Sequence, residues 1–197
     1  MMKSVIRAFI AIALSSEIQA ELSQISNELQ SRLKGVPIRW VPVENIHLTL
    51  KFLGDVSNAN LEILKSVLNK EASGHNPFEI SVGELGAFPN LRRPRVIWVN
   101  IQAPGELAAI QYGIEAQMTR LGYPPEERPF HPHLTLGRVT RSASAQDLQK
   151  IFDVLSKYKV GFLGATRVLT LDLYKSDLQP SGAKYTCLHR AVLNPGV

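Results

Sequence analysis

One four-residue word, His-Leu-Thr-Leu, stands at positions 47–50 and again at 133–136. Each copy reads as a β-strand, where side chains alternate between two faces with period two. Leu48 and Leu50 then point into a core, and His47 and Thr49 stand side by side on the other face. The second copy sets Leu134 and Leu136 against His133 and Thr135 in the same way. Each strand thus offers an imidazole and a hydroxyl together.

The word sits inside a larger repeat. Arg7–Leu14 is almost wholly apolar, as expected of a strand covered on both faces. A helix follows, capped by Ser15 or Ser16, with Ile18, Leu22, Ile25, Leu29 and Leu33 at helical spacing and Gly35 at its end. A short extended piece at Ile38–Val41 leads to a strand over His47–Leu53, and Gly54-Asp55 reads as a turn. Next come a helix marked by Leu61, Leu64, Val67 and Leu68, a strand over Phe78–Leu85, a loop over Ala87–Pro94 and a strand over Arg95–Ile101. A third helix carries Leu107, Ile110, Ile114 and Met118, and the Pro-rich YPPEERPF leads into the strand His133–Val139. A fourth helix spans Ala145–Lys157, and two long strands, Val160–Lys175 and Ala183–Leu193, finish the chain. The histidines lie 133 − 47 = 86 residues apart, and the strands that open the copies at Arg7 and Arg95 lie 95 − 7 = 88 apart. Two landmarks keep nearly one spacing. The expectation is an α+β fold: a single bilobal domain over residues 1–197, duplicated about a pseudo-twofold axis. Antiparallel sheets line a central cleft, helices pack outside, and the strand at Arg95 crosses between lobes.

Composition narrows the class. With 45% hydrophobic and 20% charged residues the chain is an ordinary globular protein. Its net charge of +5 agrees with a polyanionic partner. The single cysteine, Cys187, forms no internal disulfide, reads as a packing residue rather than a nucleophile, and points to a reducing, cytoplasmic setting. MMKSVIRAFIAIALSS has the outline of a secretion leader, but Arg7 breaks its apolar run, so a buried first strand is expected. No apolar run reaches the length of a membrane span.

Two His–Thr pairs on opposite walls of one cleft suit phosphoryl transfer without a metal. Opening a 2',3'-cyclic phosphate takes a base to activate water, an acid for the departing ribose oxygen, and donors for the non-bridging oxygens. Histidine, with an ordinary pKa of about 6.5, serves as either acid or base near neutrality. Arg138 lies five residues after His133, an odd offset, so it reaches the polar face only if a bulge or twist intervenes.

In RAFIAI, HLTLKFLG, PRVIWV, FHPHLTLGR and SDLQPSGAKYTCL the chain resembles the 2H phosphoesterases, in particular the bacterial and archaeal RNA 2',3'-cyclic phosphodiesterases formerly called 2'-5' RNA ligases. The resemblance covers almost the whole chain. It implies His47 and His133 as catalytic, with His47 as acid and His133 as base. It also implies Thr49, Thr135 and Arg138 as phosphate contacts, and a 2'-phosphate product. It implies no metal and no cofactor. The partner it implies is RNA ending in a cyclic phosphate, tRNA fragments among the candidates. Gly137 stands where many relatives carry Ala. Nothing in the sequence demands an oligomer, so a monomer is expected.

Other residues are open to two readings. Arg92, Arg93 and Arg95 form a basic loop suited to RNA phosphates or simply to solvent. For Phe52, Phe130 and Trp98 alike core packing is the plainer reading; Phe130, before the second motif, is the best stacking candidate of the three. Lys51 can face either way. His131 and His133 form a metal-type pair that lacks further ligands nearby. Joining of RNA ends, and RNA binding without turnover, remain the alternative readings.

Overall fold

Why the first strand is apolar from Ala8 onward becomes clear from its place near the middle of the nine-stranded sheet that the described residues form. The computed structural model describes residues 5–179 and 182–194. The start of the leader-like segment, Met1–Ser4, and Pro180-Ser181 of the late family segment lie outside the described residues. The strands are β1 (Val5–Ile12), β2 (Ile38–Trp40), β3 (Leu48–Ser57), β4 (Phe78–Phe88), β5 (Val96–Gln102), β6 (His133–Val139), β7 (Phe162–Val168), β8 (Thr170–Gln179) and β9 (Gly182–Val192). The helices are α1 (Ser16–Arg32), α2 (Leu61–Ser73), α3 (Gly105–Arg120) and α4 (Ala145–Lys157).

The sheet runs β7-β4-β5-β6-β3-β1-β8-β9, with β2 on β6, and every pairing is antiparallel. Counting outward from the centre, β3, β1, β8 and β9 mirror β6, β5, β4 and β7. The two motif strands are the innermost of each set, joined through Leu48 and Leu134. The expected α+β antiparallel architecture is therefore present.

The halves are not consecutive in sequence. Instead of staying with β1 and β3, β4 pairs with β5 and β7, so the chain has crossed to the second half before Arg95. The predicted strand Val160–Lys175 is two strands. β7 closes one edge on β4, and β8 returns to pair with β1 and β9. No glycine or proline marks that break, because a change of partner at Leu169 requires none. Helices follow the exchange: α1 packs on β7, and α3 packs on β3. At the first of these contacts Gly164 is needed, since a Cβ there would lie 2.9 Å from the Ile18 methyl.

Local signals hold well at the helices. Ser15 caps α1 by accepting from the Ile18 N–H, and Ile18, Leu22, Ile25 and Leu29 are buried. Ser144 and Asp147 form a reciprocal capping box on α4. One turn prediction fails, and the predicted Ala87–Pro94 loop begins two residues late. Gly54-Asp55 lies within β3, where Gly54 takes a φ of 67° beside a register break. Ala87-Phe88 continues β4 past a second break at Gly83–Leu85. At Gly54 the strand bends through a bulge instead of ending.

Candidate active site

The sheet centre brings the two motifs together. His47 immediately precedes β3 and His133 opens β6. Continuing the register from the Leu48–Leu134 pair sets His47 opposite Thr135 and Thr49 opposite His133. The two histidines then occupy diagonal positions of the ladder, the relation in which long side chains from neighbouring strands come within reach of each other. Both leucines are fully buried beneath the pair.

Each ring is held in the same way. His47 Nδ1 lies 2.8 Å from the Asn45 carbonyl oxygen, and His133 Nδ1 lies 2.6 Å from that of His131. A carbonyl only accepts, so Nδ1 carries the proton in both and Nε2 is left for chemistry. Asn45 is itself anchored by its side-chain N–H donating to Ala183 O of β9 at 2.8 Å. The holding groups are backbone oxygens two residues upstream, which is why residue types alone did not reveal them.

Aromatic rings line both histidines, with different geometry. His47 stacks on Phe9 at 4.6 Å, Phe9 stacks on Tyr174 at 5.3 Å, and Tyr185 meets His47 edge-on at 5.3 Å. His133 stands perpendicular to Phe88 at 4.9 Å, and Phe88 packs on Trp98. Phe9 and Tyr174 did not stand out as site residues. The signal for Phe9 was the unbroken apolar run of β1, whose second face needs a cover. Tyr185 and Ser176, from the late segment, are direct partners across β8 and β9.

A bulge settles the Arg138 offset. Gly137 pairs with Ile97 and Thr135 with Trp98, leaving Leu136 unpaired on β6. Leu136 and Gly137 are both buried, and exposure resumes at Arg138. Arg138 thereby regains the face of His133 and Thr135. The first motif does the same: Thr49 pairs with Ala11 and Lys51 with Ile10, so Leu50 is the extra residue. Lys51 turns inward and is 5% exposed, and Phe52 turns outward at 62%. Phe52 therefore occupies in one half the place of Arg138 in the other.

Two cavities flank the pair. One, of about 530 Å³, is lined by Asn45, His47, Tyr174, Lys184 and Tyr185. The other, of about 780 Å³, is lined by Thr49, Phe52, Arg95, Phe130, His133 and Arg138 among others. Phe130 is half-buried there. Arg95 reaches the cavity, and its guanidinium also donates to Thr140 O at 3.3 Å. Arg92 and Arg93 do not line it; their backbone N–H groups donate to the Asn90 side-chain oxygen in an exposed turn. Trp98 packs over Gly86, where an added Cβ would collide with its ring. Cys187, expected to be packed, is exposed, and partial burial raises its thiol pKa. Among the described residues no three His, Cys, Asp or Glu side chains converge as metal ligands. No helix among them is long and apolar enough to cross a membrane.

Burial pushes the His47 imidazole below its ordinary 6.5; the bond to Asn45 opposes this and the Arg138 charge adds to it. His133 is lowered for the same leading reason, with the His131 carbonyl opposing and the His131 and Arg138 charges adding. Arg138 acts on both rings. The lowered values tie stability to pH. Between the folded-state pKa values and 6.5 the unfolded chain binds more protons. This contribution is complete above 6.5 and is lost as pH falls through the lowered values. Urea midpoints should drop between about pH 7.5 and 5.5, with His47→Asn shrinking the drop. Identical wild-type midpoints at both pH values would contradict the pKa directions.

The family model described as LigT like Phosphoesterase matches residues 12–98 and again residues 99–185. Its two matches begin 99 − 12 = 87 residues apart, between the two spacings read from the sequence. The chain belongs to the LigT-like phosphoesterase family, present here as a duplicated fold. It is 34% identical over 181 residues to the RNA 2',3'-cyclic phosphodiesterase of Methanothermobacter thermautotrophicus, covering 92% of this chain and 95% of that one. The Methanocaldococcus jannaschii RNA 2',3'-cyclic phosphodiesterase is 36% identical over 179 residues, covering 91% and 96%. E. coli LigT, solved in complex with 3'-AMP, superposes with a TM-score of 0.77 at 26% identity, covering 96% and 99%.

Proposed function

We propose that the protein hydrolyses RNA 2',3'-cyclic phosphate ends to 2'-phosphate ends by paired histidine acid–base catalysis, with His47 and His133 as the catalytic residues. The observation that carries this is the mirrored pair of rings, each with Nδ1–H tied to a carbonyl and Nε2 left for the substrate. In this reading a water oxygen attacks phosphorus while His133 Nε2 takes its proton. The P–O3' bond breaks, and His47 Nε2–H gives its proton to O3'. Thr49, Thr135 and Arg138 hold the non-bridging oxygens as charge builds. The activity of the archaeal relatives supports the substrate class. The single bilobal domain, a monomeric state and a reducing, cytoplasmic setting belong to the same reading, the last supported by the lone cysteine.

The test is incubation with an oligonucleotide ending in a 2',3'-cyclic phosphate, in the presence of EDTA, with the product isomer identified. A 2'-phosphate is expected. A 3'-phosphate, or turnover lost to EDTA, would sink the mechanism.

A further inference from the structure

Two arginines oppose each other on neighbouring strands beside the candidate site, and a third lines the same cavity as one of them. Arg39 of β2 is the direct antiparallel partner of Arg138 on β6. Val96 of β5 pairs with Arg138 from the other side, and Arg95 precedes it. Directly opposed residues share a sheet face, and Arg39, Arg95 and Arg138 are all exposed. The opposite face is held fixed: Ile38 and Trp40 pack around Gly137, within 2.9 and 3.0 Å of where its Cβ would lie. Like charges directly opposed across a strand pair are unfavourable. Among the described residues no carboxylate forms an ion pair with any of the three. Two opposed cationic side chains without a protein counter-charge among the described residues suit an anion.

Arg138 and Arg95 line the larger cavity, and Arg39 does not. Arg39 stands one strand beyond the residue proposed to hold the reacting phosphate. We propose that Arg39 binds the internucleotide phosphate next to the terminal cyclic phosphate, so that the site prefers oligonucleotide ends to mononucleotides. This rests on the phosphodiesterase reading for the identity of the terminal group. The internucleotide phosphate supplies the anion that the arginine pair lacks, and it fixes the chain as it enters the cleft.

The experiment compares binding of a tetranucleotide ending in a 2'-phosphate with that of the 2'-phosphorylated mononucleoside, in wild type, Arg39→Ala and Arg39→Lys. Turnover of the corresponding cyclic phosphates is measured in parallel. Arg39→Ala should cut the tetranucleotide preference about fivefold to tenfold, and Arg39→Lys should restore part of it. The dependence of log affinity on log salt should become shallower by about 0.7, because one phosphate of a single strand is no longer neutralised by the protein. Without RNA, Arg39→Ala should melt no lower than wild type, since it relieves an opposed charge. A preference and salt slope unchanged in Arg39→Ala would overturn the proposal. Wild-type binding without turnover would overturn the phosphodiesterase reading instead, and the binding ratio would still decide the role of Arg39.

Discussion

Replacing His47 or His133 by alanine is expected to lower kcat on a cyclic-phosphate oligonucleotide by roughly a hundred- to ten-thousandfold, the range supplied by one positioned acid or base. Both variants should keep the fold. His47 is only half-buried, and the fully buried Leu48 and Leu134 below the pair are untouched. Wild-type rate should be bell-shaped in pH. Both rings are lowered in the free protein, so the maximum of kcat/KM should fall on the acid side of 6.5. A bound anionic phosphate offsets the Arg138 charge and favours the protonated rings. The maximum of kcat should therefore lie at higher pH than that of kcat/KM. Full activity in either alanine variant, or a flat profile for both parameters, would rule out paired acid–base catalysis.

The second large effect is on stability and comes from Lys51. Its buried ammonium donates to Glu115 Oε1 at 2.8 Å and to Pro124 O at 2.7 Å. Glu115 Oε1 also accepts the Glu126 backbone N–H at 2.8 Å. This one lysine ties β3 to α3 and to the segment that carries Arg128, Phe130 and His131 into the larger cavity. Lys51→Ala leaves a carboxylate and a carbonyl without their partner, at a cost of about 3 kcal/mol. For a chain of this size that corresponds to a fall in melting temperature of roughly 6–12 °C. Lys51→Met combined with Glu115→Leu should recover most of that stability, because it removes both charges together. A single variant as stable as wild type would show that the pair contributes nothing. A rise in KM beyond the effect on stability is expected as well, since the tethered segment forms the cavity wall.

The helices were readable from local pattern because their caps and apolar spacing are local. The leucine-backed His–Thr pairs were readable for the same reason: period two needs only consecutive residues. The 86- and 88-residue spacings announced the duplication because repeated landmarks survive whatever the chain does between them. Phe9, Asn45 and Arg39 stayed hidden. Phe9 matters through the ring stacked on it, Asn45 through its backbone oxygen, and Arg39 through the strand partner it faces.

Taken alone, the sequence determined the helices, the two motif strands and the chemistry their side chains permit, since these follow from residue type and short-range periodicity. Tertiary structure decided three other matters. It sent β4 and β8 to opposite halves, because a strand takes whichever sheet edge is free and nothing local records that choice. It inserted Leu50 and Leu136 as extra residues, which turned Lys51 inward and brought Arg138 onto the face of His133. It also set Arg39 against Arg138, because pairing register joins residues 99 positions apart, 138 − 39 = 99. The repeated HLTL names the two walls; the bulge at its final leucine determines which residues face the space between them.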